Sequence, residues 1–247
     1  MYLISGLDAF PELIHATSER KEGNMSFRWE PREKVFPNRI AFLSQLAVPL
    51  EHCVGTSLEH KTEVTRVHAE DGGKGMSNTE GALAGDAFLT NARNTFLFLL
   101  TGDCLPVLFY DPVHAAVGLA HASRHNTPQF LMREVLVHMK KWFGSFLSEI
   151  EVGIGPGVRK ESYIFPQMMR VEMEKVWGKF LKDASSETFA LDVEGWNIAQ
   201  LQTSGVLKEK IHVSASDTIK DSRFFSHFRS RRTGGLEGRM ATVIGLR

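Results

Sequence analysis

Short apolar runs dominate the pattern of hydrophobic and polar positions along the chain, and Gly, Pro or Asp residues lie at or near their bounds. Runs of this length with turn-forming residues at their ends are typical of buried β-strands rather than of helices. The pattern predicts strands at Thr95–Leu100, Pro106–Asp111, Ala115–Ala120, Glu149–Ile154, Lys210–Ser214 and Met240–Leu246.

Longer amphipathic stretches predict helices between these strands. Thr127 can cap a first helix, with Pro128 at its first position and Gly144 after its end. A second helix is predicted over Pro166–Phe180, and a third runs from a cap at Asp192 to a stop near Gly205. The apolar face of the first helix would consist of Phe130, Leu131, Val135, Val137, Met139 and Trp142. Because helices and strands are intermixed, the pattern alone predicts an α/β or α+β fold.

The segment Glu70–Gly85 differs from its surroundings because it is rich in glycine and polar residues. It is predicted to be one long loop, and loops of more than about 12 residues are often functional.

Composition and charge narrow the classes of protein to which the chain can belong. The 247 residues carry 29 Lys and Arg against 29 Asp and Glu, so the formal net charge is zero. A neutral chain has no overall field that would collect nucleic acid or a membrane surface, and we expect neither as a partner. Cys53 and Cys104 are the two cysteines, and the first residues do not resemble a secretory signal. We therefore expect one cytoplasmic domain over residues 1–247, with free thiols.

Three side chains that suit a metal ion lie at or near the ends of predicted strands. Cys104 lies in TGDCLP between two strands, His121 follows the strand Ala115–Ala120, and His60 lies in SLEHKTEV. Strand ends present side chains from a rigid scaffold into a cleft. A thiolate and two imidazoles suit tetrahedral Zn²⁺, and three protein ligands leave a fourth position for water or substrate.

Plain structural interpretations of these residues stay open at this point. The three candidates are far apart in the chain and form no short zinc-binding motif. A lone cysteine is most often a small buried apolar residue, and most histidines are surface or hydrogen-bonded core groups. Asp103 can simply cap a turn, and Arg20 and Arg124 can be charges that face solvent.

The segment DAFLTNARNTFLFLLTGDCLPVLFYDPVHAAVGLAHA, residues 86–122, resembles the laccase-domain family, also called the YfiH or polyphenol oxidase family. It is similar to that family's D-A-x-x-T, D-C-x-P and A-H-A motifs. Weaker similarities flank it, at His15, Ser18 and Arg20, at Asn24–Phe27 with Asn38–Arg39, at Ile154–Pro156 with Tyr163, at Phe224–His227 and at Glu237–Ala241.

The resemblance implies an α/β fold, a four-layered α-β-β-α sandwich with mixed sheets. It implies Zn²⁺ held by His60, Cys104 and His121, with Cys104 bound as a thiolate. The implied activity is phosphorolysis of purine nucleosides (adenosine, inosine and guanosine), with adenosine deamination as a second reaction. Purine nucleosides and phosphate would then be the partners.

Other residues near the motifs receive roles from the same comparison. Asp103 is expected to orient a metal ligand within the catalytic group. Arg20 and Arg124 are expected to bind phosphate, because a guanidinium fork matches two phosphate oxygens. His125 is expected at the rim of the substrate site.

Two segments depart from the family pattern. The family's H-A-G-W-R-G is HASRHN here, so that His125 stands at the Arg position and Arg124 one place earlier; Q-V-H-G is LEHK, with Leu58 for Gln. These departures keep a second function in view, a non-catalytic nucleoside-binding protein.

Two further alternatives use the same side chains. The first is a copper-dependent polyphenol oxidase, since Cu²⁺ also accepts His and Cys and binds more tightly than zinc; the ten histidines, however, include no H-x-H pair of the kind a multicopper site needs. The second is a cysteine hydrolase of cell-wall precursors, with Cys104 as nucleophile and His121 as base.

Overall fold

The computed structural model describes residues 1–247 and contains fourteen strands and five α-helices. The strands are β1 (Leu13–Thr17), β2 (Cys53–Ser57), β3 (Val64–Arg66), β4 (Leu83–Ala84), β5 (Ala87–Thr90), β6 (Phe96–Thr101), β7 (Leu105–Asp111), β8 (Ala116–Ala122), β9 (Glu151–Ile154), β10 (Ile164–Pro166), β11 (Leu181–Asp183), β12 (Thr188–Leu191), β13 (Ile211–Val213) and β14 (Met240–Leu246). The helices are α1 (Arg32–Ser44), α2 (Leu131–Phe143), α3 (Arg170–Trp177), α4 (Val193–Ser204) and α5 (His227–Thr233). None of these helices is long and apolar enough to cross a membrane.

Two large mixed sheets form the centre of the fold. The first has the order β1-β14-β6-β2-β4 and the second the order β13-β9-β7-β8-β5-β3. Strands β1, β14 and β6 are antiparallel neighbours, whereas β2 runs parallel to both β6 and β4. A small sheet of order β10-β12-β11 lies apart from both.

Alternation of side chains along single strands explains why these sheets are layered. Phe96 and Phe98 of β6 belong to one buried cluster with Phe42 of α1. Leu97, between them, belongs to a different cluster with Leu108 of β7, on the other large sheet. Successive strand residues point to opposite faces, so β6 is covered by a helix on one face and by the second sheet on the other.

The second sheet repeats this pattern. Val107 and Phe109 of β7 belong to the largest buried cluster, together with Val135 of α2 and Leu201 of α4. Leu108 faces the first sheet instead. The order of layers is therefore α1, first sheet, second sheet, and α2 with α4. The predicted four-layered α-β-β-α sandwich is confirmed.

The six predicted strands are present, with shifts at their ends. Met240–Leu246 has the predicted bounds, whereas β9 begins at Glu151 because Leu147–Glu149 forms a 3-10 turn. The third predicted helix is α4, where the Asp192 side chain accepts a hydrogen bond from the N–H of Gly195 and Gly205 adopts the left-handed cap.

Two predicted helix starts are wrong. Thr127–Gln129 forms a 3-10 turn, and α2 begins only after Phe130, whose φ of 64° breaks the helical path. Pro166 ends strand β10, and Gln167–Met169 forms another 3-10 turn before α3. Proline lacks a backbone N–H and suits either a strand end or a helix start, so a proline in the sequence does not by itself distinguish these two positions.

Helices α1 and α5 were not predicted from the apolar pattern. In α1, Pro37 lies inside the helix, and one of the four buried positions is Arg39. The Arg39 guanidinium lies over the Phe27 and Phe98 rings and donates to the carbonyl oxygens of Met25, Gly75 and Met76 at 2.8–3.0 Å. A buried arginine interrupts the apolar stripe by which a helix is recognised in the sequence. In the structure the same arginine holds the long loop predicted at 70–85. That loop is mostly turns, except that Leu83–Ala84 forms β4.

A buried histidine makes the stability of the fold depend on pH. His15 of β1 is 4% exposed, and its Nε2 accepts a hydrogen bond from the N–H of Ile4 at 3.0 Å, which requires the neutral ring. Burial lowers the pKa of His15. As the pH falls through about 6.5, His15 takes up a proton in the unfolded chain, whereas in the folded chain it does so only at lower pH. The free energy of unfolding should therefore fall as the pH is lowered from 7 towards 5.

Urea denaturation across this pH range, compared with the variant His15→Gln, isolates the contribution of this residue. The glutamine side-chain oxygen can accept the same hydrogen bond but does not titrate, so the pH dependence of the variant should be flatter. Equal pH dependence in the two proteins would contradict the assignment.

Candidate metal and substrate site

The chain crosses from one large sheet to the other at the turn that carries Cys104. Strand β6 ends at Thr101 in the first sheet, and β7 begins at Leu105 in the second. Antiparallel pairing of β7 with β8 places Pro106 opposite His121. Cys104, two residues before Pro106, is thereby brought to the end of β8 where His121 lies, although the two residues belong to different strands.

A buried carboxylate orients His121. The ring of His121 is 3% exposed, and its Nδ1 lies 2.9 Å from an oxygen of Asp86, which is fully buried. The backbone adds a second link, since the N–H of His121 donates to the carbonyl oxygen of Asp86 at 2.8 Å. Because Nδ1 donates its proton to the carboxylate, the Nε2 atom is left to bind a ligand.

Asp86 also holds the segment that carries His60. Its second carboxylate oxygen accepts hydrogen bonds from the N–H groups of Glu59 at 3.1 Å and Lys61 at 2.9 Å. His60 lies between these donors in the left-handed conformation, with φ of 61°. One carboxylate therefore determines where two imidazoles lie relative to each other.

Three imidazoles lie close together at this point. The centroids of the His60 and His121 rings are 5.0 Å apart, and those of His60 and His125 are 5.6 Å apart, both in edge-to-face arrangements. Burial and then the neighbouring His121 lower the pKa of His60, and burial and then Arg124 lower the pKa of His125. Both rings therefore favour the neutral form, the one that binds metals.

His121 lies in the opposite electrostatic environment. Its complete burial lowers the pKa, but the Cys104 sulfur and the Asp86 carboxylate outweigh burial and raise the pKa to about 9. The surroundings of His121 are therefore strongly negative, and they favour a cation at this position.

The donor set fits Zn²⁺ in its chemistry. Two imidazoles and one sulfur are typical zinc ligands, and a metal-binding histidine commonly donates its other N–H to a carboxylate, as His121 does to Asp86. No group of three or more His, Cys, Asp or Glu side chains is placed closely enough to hold an ion as it stands. The donors are neighbours, and they would have to draw together to coordinate a metal.

Aromatic and cationic side chains complete the opening of the site. Arg124 donates from Nε to Nε2 of His125 at 3.1 Å, and its guanidinium lies 5.8 Å from the centre of the Phe165 ring. Tyr163 lies close to both Cys104 and Arg124, and its burial raises its pKa. A cavity of about 290 Å³ beside Arg124 and His125 has Trp177 in its wall.

The turn that presents Arg124 and His125 is held by its two end residues. The Asn126 side chain accepts from the N–H of Ser123 at 2.8 Å and donates to the carbonyl oxygen of His121 at 2.9 Å. Both end residues are buried, whereas His125 is exposed. This turn is the HASRHN segment that departs from the family pattern.

Asp103 does not contact an imidazole of this cluster. Its φ is 127°, and its carboxylate accepts from the Thr218 hydroxyl at 2.8 Å and the N–H of Phe228 at 2.6 Å. Burial raises its pKa. The carboxylate that orients a metal-ligand candidate is thus Asp86 and not, as expected, Asp103, which instead ties the Cys104 turn to the C-terminal part of the chain.

Arg20 lies among a different set of residues. Its guanidinium donates to the carbonyl oxygen of Ser222 at 3.3 Å and lies 5.6 Å from the centre of the Phe225 ring. It lines cavities that contain neither Arg124 nor His125. The predicted role of Arg20 in binding phosphate is therefore not supported by any contact between Arg20 and the imidazole cluster.

The functional importance of Asp86, Tyr163 and Asn126 was missed at the sequence level. Asp86 begins the D-A-x-x-T motif and Tyr163 follows the Ile154–Pro156 segment, so both belonged to recognised motifs without an assigned role. Asp86 and its partner His121 are 35 residues apart in the sequence, and spacing alone does not reveal such a pair.

Comparisons with known proteins show the family of the chain. A family model described as "Multi-copper polyphenol oxidoreductase laccase" matches residues 16–247. "Purine nucleoside phosphorylase YlmD" of Bacillus subtilis is 33% identical over 86% of this chain and 77% of its own length. The protein of the same name from Geobacillus stearothermophilus is 30% identical over 88% of this chain and 81% of its own length.

Solved structures give the same result for the fold. The crystal structure of YlmD from Geobacillus stearothermophilus superposes with a TM-score of 0.90 at 28% identity, covering 99% of this chain and 96% of that one. The Bacillus licheniformis hypothetical protein YfiH superposes with a TM-score of 0.81 at 28% identity, covering 91% and 85% of the two chains.

Removal of the buried carboxylate should destabilise the protein. Asp86→Ala leaves His121 and the N–H groups of Glu59 and Lys61 without their acceptor, and breaking a buried pair of this kind costs about 3 kcal/mol or more. Urea denaturation at neutral pH in the presence of a chelator measures this loss without a contribution from bound metal.

Glu59→Ala is the matched control for this variant. Its carboxylate is 35% exposed and pairs with the exposed Lys61, so its loss should cost less than about 0.5 kcal/mol. Equal destabilisation by the two substitutions would show that Asp86 does not have the structural role given to it here.

Proposed function

Within the family described as multi-copper polyphenol oxidoreductase laccases, to which the chain belongs, we propose that this protein is a zinc-dependent purine nucleoside phosphorylase. The names of the relatives from Bacillus subtilis and Geobacillus stearothermophilus support this activity. The observation that carries the proposal is the Asp86-bound His121 ring, with Cys104, His60 and Arg124 around it. Purine nucleosides and phosphate are the proposed substrates, in the cytoplasm.

His60, Cys104 and His121 would hold the metal. A Zn²⁺ ion held by these residues would supply a Lewis acid for an oxygen atom of substrate or water. His121 contributes Nε2, because Asp86 occupies Nδ1, and a thiolate from Cys104 balances part of the charge of the ion. Since His121 retains a proton up to a pKa of about 9, metal and proton compete for this ring, and zinc affinity should rise with pH.

Arg124 is the proposed phosphate ligand. Its guanidinium fork can bind two phosphate oxygens, and the adjoining cavity wall at Trp177 can contact the flat purine. The raised pKa of Tyr163 keeps its hydroxyl protonated at neutral pH, so that it can donate a hydrogen bond to the substrate. His125, which is neutral and exposed, lies at the rim and orients Arg124. Asp103 contributes by holding the Cys104 turn.

Adenosine deamination is proposed as a second reaction of the same site. The two reactions differ in their requirement for phosphate, since phosphorolysis of adenosine gives adenine and ribose 1-phosphate, whereas deamination gives inosine and ammonia. Chromatography of adenosine incubations with and without phosphate separates them.

Loss of the sulfur ligand should remove both metal and activity. We expect about one zinc ion per chain in the purified protein by elemental analysis, and a strongly reduced content in Cys104→Ala together with loss of inosine phosphorolysis. Cys53→Ala is the matched control, because Cys53 is buried outside the site and burial raises its pKa to about 12.

Each rival has a distinct signature in the same experiment. Full metal content and activity in Cys104→Ala would refute the ligand set. Stoichiometric copper with oxygen uptake on a phenol would favour the polyphenol oxidase. Alkylation of Cys104 in the metal-loaded protein would favour the cysteine hydrolase, and thermal stabilisation by inosine without turnover would favour a binding protein.

The two arginines with predicted phosphate roles can be separated by kinetics. Arg124→Lys keeps the charge but loses the bidentate fork, so the KM for phosphate should rise about tenfold, with a smaller change in kcat. Arg20→Lys should change the phosphate KM less than about twofold, since Arg20 has no contact with the imidazole cluster. The reverse order of effects would move the phosphate site to Arg20.

A further inference from the structure

A groove between α2 and α4 lies outside the site described above. It has a volume of about 650 Å³, and it shares no lining residue with the cavity at Arg124 and His125. Its apolar wall includes the rings of Phe180 and Trp196, which stack with centroids 5.0 Å apart and planes 9° apart. A groove of this volume is within the range of small-molecule sites.

Part of the apolar face of α2 is not used by the protein core. Val135 is fully buried against the second sheet, whereas Val137 and Phe130 are each 48% exposed and line the groove. The sequence pattern placed both on the apolar face of the predicted helix. An amphipathic helix that covers only a core needs a single stripe, so this second apolar surface is left without a partner in the chain.

The charges at the groove have one sign. Arg133 and Lys140 of α2 and Lys179 beside Phe180 line it, and no Asp or Glu does. None of the three cations takes part in an ion pair, although other exposed cations such as Lys61 and Arg223 do. The chain as a whole has zero formal net charge, so this local excess of positive charge is a property of the groove and not of the whole surface.

We propose that this groove binds a small amphipathic anion. An aryl or acyl body would lie against Trp196, Phe180 and Val137, and a carboxylate, phosphate or sulfonate head would pair with Arg133 and Lys140. Val137 lies four residues after Arg133 and three residues before Lys140, so the three side chains share one face of α2 and the apolar one lies between the two cations. That order matches a ligand with a charged head and an apolar body.

The spacing of the aromatic stack favours a small molecule over a protein helix. The flat pair formed by Phe180 and Trp196 is suited to a planar or narrow apolar body, and the cations surround a concave space rather than forming a stripe along a surface. An acidic helix from another protein is the competing occupant, and it is an outcome of the experiment below.

Fluorescence titration of the full chain with 8-anilinonaphthalene-1-sulfonate, an aryl anion, tests the proposal. Dodecanoate is the acyl competitor, and dodecanol is its uncharged counterpart. We expect saturable probe binding that dodecanoate displaces more strongly than dodecanol. The double variant Arg133→Glu with Lys140→Glu should raise the dissociation constant of the probe at least about tenfold.

Lys141→Glu is the matched control for the charge reversal. Lys141 is exposed and adjacent to Lys140 on α2, but it does not line the groove, so this variant should change the dissociation constant less than about twofold. Ala199→Phe fills the groove from α4 without changing charge, and it should abolish binding. Thermal unfolding of each variant without probe checks that the fold is intact.

Several results would overturn the proposal. They are equal binding to all variants, equal competition by dodecanol and dodecanoate, and no saturable binding below about 1 mM probe. Displacement of the probe by an acidic amphipathic peptide alone, with no effect of dodecanoate, would assign the groove to a protein partner and would likewise refute a small-molecule ligand.

Discussion

The buried hydrogen bond between His121 and Asp86 is the constraint on which the arrangement of the site depends. Asp86 has no exposed surface and joins three segments: its own strand entry, the end of β8, and the loop on both sides of His60. A buried charge of this kind is tolerated only where partners satisfy its oxygens. Hydrogen bonding to this one carboxylate thus brings together the imidazoles of His60 and His121, which lie far apart in the sequence.

The position of the site at the seam between the two sheets follows from the path of the chain. Cys104 lies in the turn by which the chain leaves the first sheet and enters the second. Asp103 makes that turn possible with a left-handed backbone, and its carboxylate fastens the turn to Thr218 and Phe228. The sulfur atom is therefore positioned by the first sheet, the second sheet and the C-terminal segment together.

The layered fold could be predicted from local pattern and resemblance, whereas the connections of the site could not. Met240–Leu246 was identified because a short apolar run is a property of adjacent residues. Helix α1 was hidden, because one of its buried positions is occupied by Arg39, whose aromatic and carbonyl partners lie outside the helix. The three metal donors followed from recognised motifs and remain a prediction, whereas the carboxylate expected to orient a metal ligand was Asp103, and the one that contacts His121 is Asp86. Hydrogen bonds over such separations depend on strand pairing, which the sequence pattern does not specify.

In the turn from Ser123 to Asn126, one set of residues holds the loop in shape and another set is available for recognition, two tasks that active sites often combine. Its hydrogen bonds come from the side chains and backbone of the two end residues and from the carbonyl oxygen of His121. The two central side chains, Arg124 and His125, contribute little to holding this loop in shape. Substitution at these two positions can therefore change what the protein recognises at little cost in stability, and relatives with the same scaffold are free to diverge in substrate preference there.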